Sequence, residues 1–253
     1  MVSSELVEFR IWHSSYIPIF FSMFCMVYFL AYHIIFPNWK PEARSTASSC
    51  SISLVHGTPA VILAAYAVWA NSDRGFASPN SHVQNLVLDF SVAYFIADLL
   101  HYLVFFPRDY LFIGHHIATL FVFTTCRYLA FHGAFALLIL LVIAEVTSAV
   151  QNIWTLAAIR KAESPLAAKI HNSLSPAFYA FYTLARVIAG PVFFFKMGSF
   201  YLSGEATNVI SWWVSLSWVV VVGSAISLST LWVFNNWLEL YRERTSITKT
   251  RDF

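Results

Sequence analysis

Apolar residues gather along the chain into seven runs, Ile17 to Phe36, Ile52 to Ala70, Leu86 to Phe106, Tyr110 to Phe131, Ala134 to Ala158, Pro176 to Phe195 and Val209 to Phe234. About 20 predominantly apolar residues cross a bilayer as a helix, so the pattern predicts an all-α, polytopic membrane bundle of about seven transmembrane helices. Breakers stand between the runs: Pro37 and Pro41, Asn71 to Pro79 with Gly75, the short Pro107-Arg108-Asp109 link, His132-Gly133, Ser164-Pro165, and Gly198 with Gly204. The second run is the least cleanly apolar, opening with Ser51, Ser53, His56, Gly57 and Pro59, and without it the count is six. The leader before the first run carries Glu5, Glu8 and Arg10, and no small-x-small site precedes Pro37. That run therefore reads as an uncleaved span rather than a signal peptide.

Composition agrees with the pattern. At 253 residues, 58% hydrophobic, 11% charged and mean hydropathy +0.65, the chain is too apolar for an ordinary soluble domain, and the lipid bilayer is the partner it demands. A net charge of +2, with no basic run interleaved with aromatics, argues against a nucleic-acid partner. Cys25, Cys50 and Cys126 form neither a paired framework nor a CxxC site and read as small core residues. Trp12, Trp39, Trp69, Trp154, Trp232 and Trp237 fall near the ends of the runs, where an interfacial aromatic belt would place them. Seven spans put Arg10, Arg74, Arg127 and Lys196 on one side. Lys40, Arg44, Arg108, Arg160, Lys161, Lys169, Arg242, Arg244, Lys249 and Arg251 fall on the other. The richer side is expected in the cytosol, which makes the N-terminus lumenal and the C-terminus cytosolic. The expected division is a lumenal N-terminus and first span over 1–49, a main transmembrane domain over 50–236, and a basic cytosolic tail over 237–253.

A charged residue at the bilayer centre costs roughly 2.5 to 3.5 kcal/mol even on an insertion-derived scale. Yet the stretch from Leu86 to Asn152 carries Asp89, Asp98, His101, His115, His116, Arg127, Glu145 and Asn152. So many together imply mutual pairing in a protein interior or water-filled cavity. Positions 3, 4 and 7 apart share a helix face. On the third run this collects Ser91, Tyr94, Asp98, His101 and Phe105, with Asp98 and His101 close enough to interact. A carboxylate beside an imidazole can fix its tautomer and raise its basicity, as acid/base or nucleophilic chemistry requires; the alternative is a structural polar pair between helices. Asp89 turns to the opposite face, as a boundary or packing residue.

On the fourth run His116, Phe123 and Arg127 share a face with Thr119 at its edge, and His115 points about 100° away from His116. The short link makes the third and fourth runs an antiparallel hairpin. Reflection about it sets His101 level with His116 and Asp98 level with Thr119, a turn or two inside the cytosolic surface. Adjacent histidines lack the i, i+4 spacing of a metal-ligand pair, so no metal site is expected. Glu145, Ser148 and Asn152 share a face of the fifth run, and Tyr179, Tyr182, Thr183, Arg186 and Gly190 a face of the sixth. Glu145 and Arg186 fall at similar depth near mid-membrane, where an ion pair is the economical arrangement, while Arg127 has the lumenal interface within snorkelling reach. The chain has no GxSxG elbow, P-loop or GxGxxG, and no inverted repeat or matched pair of Gly/Pro-broken helices of the kind transporters use.

Four segments in order carry a resemblance: Ser91-Val-Ala-Tyr-Phe-Ile-Ala-Asp98, His115-His116-Ile-Ala-Thr119, Glu145-Val-Thr-Ser-Ala-Val-Gln-Asn152, and Arg186 after a loop containing Asn172. From about Cys50 to Phe234 the chain resembles the TLC-domain family, which includes ceramide synthases, the ceroid-lipofuscinosis protein and small lipid-homeostasis proteins. The resemblance implies a helix bundle enclosing a lipid-sized cavity, usually in the endoplasmic reticulum. His115-His116-x-x-Thr119 is similar to the start of the motif with which ceramide synthases transfer acyl groups. Where those enzymes carry HD-x-x-D, this chain has Ala144-Glu145-Val146-Thr147-Ser148, and a single carboxylate remains. The pattern is instead similar to the non-ceramide-synthase branch. The expected function is therefore binding of a lipid or acyl chain and a contribution to membrane lipid homeostasis, without a cofactor. Tyr94, Asp98, His101, His115, His116, Thr119, Glu145, Asn152 and Arg186 are the candidate lining residues. The alternative is a CoA-dependent acyltransferase, drawing its catalytic groups from His116, His115, Asp98 and His101 and taking acyl-CoA from the cytosol. A third option is a cargo or trafficking receptor.

Overall fold

The chain folds into rods of helix joined by short links. The computed structural model describes residues 15–251, with backbone alone at residues 239 and 243–251. The leader's Glu5, Glu8, Arg10 and Trp12 lie outside the described residues. Helix α1 (Ile17–Leu30) runs into a π turn at Ala31–Ile35, and α2 spans Pro41–Ala70, α3 His82–Phe105 and α4 Tyr110–Thr125. A second π turn, Cys126–Ala130, ends α4. Helices α5 (Ala134–Glu145) and α6 (Ser148–Arg160) form one rod broken at Val146-Thr147. Helix α7 (Pro165–Thr183) passes through a third π turn, Leu184–Ala189, into α8 (Gly190–Leu202), and α9 runs Trp212–Arg251.

Six rods are long and apolar enough to cross a membrane: Ile17–Ile35, Pro41–Ala70, His82–Phe105, Ala134–Arg160, Pro165–Leu202 and Trp212–Arg242. The seventh, α4 with its π turn, carries His115, His116 and Arg127 and is not among them. The second run is a span in spite of its polar opening, and its helix begins at Pro41 rather than Ile52. The sixth begins at Pro165, with Pro176 inside it rather than at its start. In both cases a proline at the first helical turn, where no N–H partner is needed, marks a start that apolarity alone does not reveal.

The starts of other helices are fixed by side chains. Ser81 and Gln84 close a capping box on α3, Asp109 caps α4 through the Phe112 N–H, and Ser164 caps α7 through the Ala167 N–H. Between α4 and α5 the chain turns through Phe131 (φ 57°) and Gly133 (φ 89°). A Cβ at Gly133 would lie 2.9 Å from the Trp218 ring, so both conformation and space call for glycine there. Asn80 clamps this turn, donating to the Cys126 carbonyl at 3.0 Å and accepting from the Ala134 N–H at 2.9 Å.

Packing closes a ring. Helix α2 packs on α3, α5 and α6; α3 on α4; α4 on α9; α9 on α7 and α8; and α7 back on α6. Helix α1 lies outside, against α2 and α3. The face that α2 buries reads Ser45, Ser49, Ile52, His56, Ala60, Ala64, Ala67 at intervals of three and four, and its small side chains let neighbouring backbones approach closely. Phe24, Leu88, Leu137, Leu138, Met197 and Trp218 fill the core. Ile34, Ile62, Val104, Phe195 and Leu231 stand exposed on the outside, as a lipid-facing surface requires.

Candidate functional site

Asp98 is the centre of a closed polar network. It is 4% exposed, and its Oδ1 accepts a hydrogen bond from the Ser49 hydroxyl of α2 at 2.7 Å. Its Oδ2 lies 2.9 Å from His116 Nε2 of α4 and 3.5 Å from the Tyr94 hydroxyl one turn earlier on α3. His116 Nδ1 is 2.7 Å from the Phe112 carbonyl, which can only accept, so Nδ1 carries a proton. The Nε2 contact with Asp98 is then a hydrogen bond only when a further proton lies between the two side chains. Asp98 sits seven residues before the end of α3, about 10 Å along the helix.

The partner of Asp98 is therefore His116, and neither His101 nor Thr119 bonds to it. The hairpin reflection placed the pivot near residue 108.5, whereas α3 stops at Phe105 and α4 starts at Tyr110, which centres it on 107.5 and brings Asp98 opposite position 117. His101 turns to α1 instead, with its Nδ1 2.9 Å from the Tyr28 hydroxyl. Thr119 donates to the His115 carbonyl of its own helix.

His115 is placed differently from His116. Its ring is exposed and forms no hydrogen bond among the described residues, touching Phe95 and His116 edge-on. The charges within electrostatic reach of it belong to His116, to Arg186 of the third π turn and to Asp98 of α3.

Glu145 and Arg186 come near each other without the expected ion pair. Arg186 Nη2 donates to the Ala144 carbonyl at 2.6 Å, and its guanidinium lies 5.2 Å from the Tyr182 ring centre. A helix leaves its last carbonyls without regular partners, and Ala144 is in the final turn of α5, beside the break. That carbonyl takes the guanidinium that Glu145 was expected to hold. Glu145 remains within electrostatic reach of Arg186, His116 and Asp98, and its side chain is 13% exposed.

Arg127 does not snorkel. It is 2% exposed, and its Nε donates to Asp89 Oδ1 at 3.1 Å, beside the Tyr128 hydroxyl at 2.8 Å and opposite the Tyr16 N–H on Oδ2 at 3.0 Å. The π turn that carries Arg127 shifts its phase, so the guanidinium turns to α3 rather than to the interface. Asp89 is the packing residue that its face implied.

Helix α2 supplies the groups that the sequence reading left out. His56 is fully buried, stacked 4.0 Å from Tyr94 with rings 7° from parallel. Its Nε2 is 3.1 Å from Ser91 Oγ, and its Nδ1, which has no hydrogen-bond partner, is 3.9 Å from Glu145 Oε2. Asn152 donates to Ser53 Oγ at 2.8 Å and to the Ser148 carbonyl at 2.8 Å. A Cβ at Gly57 would lie 2.6 Å from Ser148 Oγ and 3.1 Å from Glu145 Oε2, so a glycine is what lets α2 pass beneath this cluster. The signal was available as the repeat Ser49, Ser53, His56 at helical spacing, inside the run that looked least like a span.

The TLC-domain family model matches residues 46–237. A TLC domain-containing protein of Arabidopsis thaliana is 60% identical over 230 residues, covering 90% of this chain and 91% of the relative.

Proposed function

Because the chain belongs to the TLC-domain family of multi-pass membrane proteins, we propose that it binds a lipid or acyl chain inside its ring of helices and so contributes to membrane lipid homeostasis. The observation that carries this reading is the inner polar surface. Arg186 lies within electrostatic reach of both Glu145 and His115, with the hydrogen-bonded Asp98–His116 pair beside them. Polar groups in an apolar bundle call for a polar ligand group or water. The basic loops suggest a lumenal N-terminus and cytosolic C-terminus, with the endoplasmic reticulum as the membrane. The Asp98–His116 level then lies in the cytosolic half, within reach of cytosolic-leaflet lipids.

Complementation tests the reading. Asp98→Asn keeps the shape but withdraws the carboxylate from His116, and His116→Ala opens the same network. Each variant is expected to reach its membrane yet fail to restore lipid composition in cells lacking the native protein. Full restoration by both, at normal abundance, would mean that these residues only pack helices.

One observation favours a second reading, acyl transfer from a CoA thioester. His115 has an exposed ring free of hydrogen bonds, as a nucleophile or base requires, while both nitrogens of His116 are engaged. Purified protein given long-chain base and acyl-CoA is expected to form no ceramide above a His115→Ala control, and product that depends on His115 would promote this second reading over the first.

A further inference from the structure

The interior holds two kinds of charge. Asp98 is hydrogen-bonded to His116 and Asp89 to Arg127, so each of these acids meets its partner directly. Glu145 and Arg186 lie within electrostatic reach of each other, Arg186 bonding to the carbonyl of the preceding residue Ala144, but form no ion pair among the described residues.

The surroundings of these two groups differ in hydrogen-bonding character. Around Glu145 the carboxylate itself is the accepting group, and the Ser148 hydroxyl is within reach to donate to it. Its carboxylate lies flush on α2 at Gly57, next to Ser148 and 3.9 Å from His56 Nδ1. Asn152 is fixed with its NH2 toward the Ser148 carbonyl, so its Oδ1 is the end left over, and it accepts no hydrogen bond among the described residues. The Ser53 and Ser148 oxygens beside it also have accepting capacity. Around Arg186 donors predominate. Its Nη2 is spent on Ala144 and its Nε is enclosed without a partner, which leaves Nη1 for a ligand, with the His115 ring in reach.

A carboxylate with the unused Asn152 Oδ1 nearby suits a primary ammonium, which has three donors and no acceptor, and a guanidinium end suits a phosphate. A quaternary ammonium would ask instead for open aromatic faces. The nearby faces of His56 and Tyr94 are already stacked on each other.

We propose that this site takes the head group of an ethanolamine phospholipid, with its primary ammonium on Glu145 beside Ser148 and Asn152 and its phosphate on Arg186 and His115. The assignment rests on the lipid-binding reading above and gives it a head-group class. The zwitterion and the Glu145/Arg186 pair cancel charge for charge, so the buried site stays neutral when filled. Phosphatidylglycerol would leave Glu145 without a cation, and diacylglycerol would leave both groups without a counter-charge.

The test uses the purified full-length protein and a methylation series. Dioleoyl lipids with ethanolamine, N-methylethanolamine, N,N-dimethylethanolamine and choline head groups are supplied in equal amounts, with dioleoyl phosphatidylglycerol and dioleoylglycerol alongside. Retained lipid is read by native mass spectrometry. Retention is expected to fall stepwise along the series, by about tenfold for each charge-assisted hydrogen bond lost. Glu145→Gln, similar in shape, is expected to flatten the series, and Arg186→Gln to let dioleoylglycerol compete. Equal retention across the series by the unmodified protein overturns the proposal and leaves the lipid-binding reading standing, whether or not either variant folds. Failure to retain any of the lipids overturns both. An unchanged series in folded Glu145→Gln overturns the placement of the ammonium, and displacement by free phosphoethanolamine at equal concentration overturns the assignment to a lipid.

Discussion

Arg127→Gln separates charge that holds the bundle together from charge that serves the site. Asp89 is fully buried, and Arg127 reaches it at 3.1 Å. Glutamine cannot supply the cation, so the carboxylate would keep only two neutral donors, the Tyr128 hydroxyl and the Tyr16 N–H. Removing one member of a buried ion pair costs about 3 to 5 kcal/mol, because the other is left uncompensated. For a chain of this size each kcal/mol moves the melting temperature by about 2 to 4 °C, which predicts a fall of roughly 6 to 20 °C. Purified protein in detergent, heated and assayed for its monodisperse fraction, gives the measurement.

A second variant decides the cause. Asp89→Leu with Arg127→Met removes both charges at similar volume, a change that is often neutral for buried pairs. The hydrogen bonds from Tyr128 and Tyr16 are still lost, at about 1 kcal/mol each, so the double variant should recover all but roughly 2 kcal/mol of the loss. A fall of less than about 2 °C for Arg127→Gln, under the worth of 1 kcal/mol, would mean that the guanidinium is released to the interface and that the pair carries no stability. A double variant as unstable as the single would mean that packing around Tyr128, not charge, is responsible.

Gly57→Leu should lower stability by about 1 to 3 kcal/mol and abolish complementation, since even its Cβ would meet Ser148 Oγ at 2.6 Å; a variant with normal melting and normal complementation would mean that α2 can move away freely. Tyr28→Phe removes the hydroxyl that meets His101 and should cost about 0.5 to 1.5 kcal/mol in the same melting assay, with complementation retained if His101 only anchors α1. Glycosylation acceptor sites added near each end should be modified at the N-terminus alone, and modification at the C-terminus would reverse the orientation drawn from the basic loops.

Runs of apolar residues made the rods legible, and intramembrane charge marked Asp98, His116, Glu145 and Arg186 before any geometry was known. What they did not reveal has identifiable causes. Helix α2 was misjudged at its start because Ser45, Ser48 and Ser49 are buried toward the protein, where polarity is no barrier to a span, and a hydropathy window does not distinguish the inner face of a bundle from its lipid face. Its His56 was passed over for the same reason. Asp98 and His116 are among the groups the sequence brings together, but the hairpin reflection sets Asp98 level with Thr119, because the true pivot between Phe105 and Tyr110 lies one residue earlier and side-chain reach covers the rest. Arg127 was read on a regular 3.6-residue helix, and the π turn at Cys126–Ala130 invalidates that phase.

Irregular backbone and interior charge coincide in this bundle for a physical reason. Arg127 lies in the π turn Cys126–Ala130, Arg186 in the π turn Leu184–Ala189, and Glu145 at the end of α5, just before the break at Val146-Thr147. Within a membrane every backbone polar group must find a partner inside the protein, so an interruption of a helical ladder is tolerated only where something meets its carbonyls or where it lines a cavity. Arg186 does the former for Ala144. In doing so it is held short of Glu145, and the two opposite charges stay apart on the inner surface. The break in α5–α6 therefore keeps a cation and an anion apart, whereas a continuous helix would leave Arg186 without this carbonyl and with Glu145 as its nearest compensation. The regular segment of α3 carries both Asp89 and Asp98, closed by Arg127 of the π turn that ends α4 and by His116 of α4.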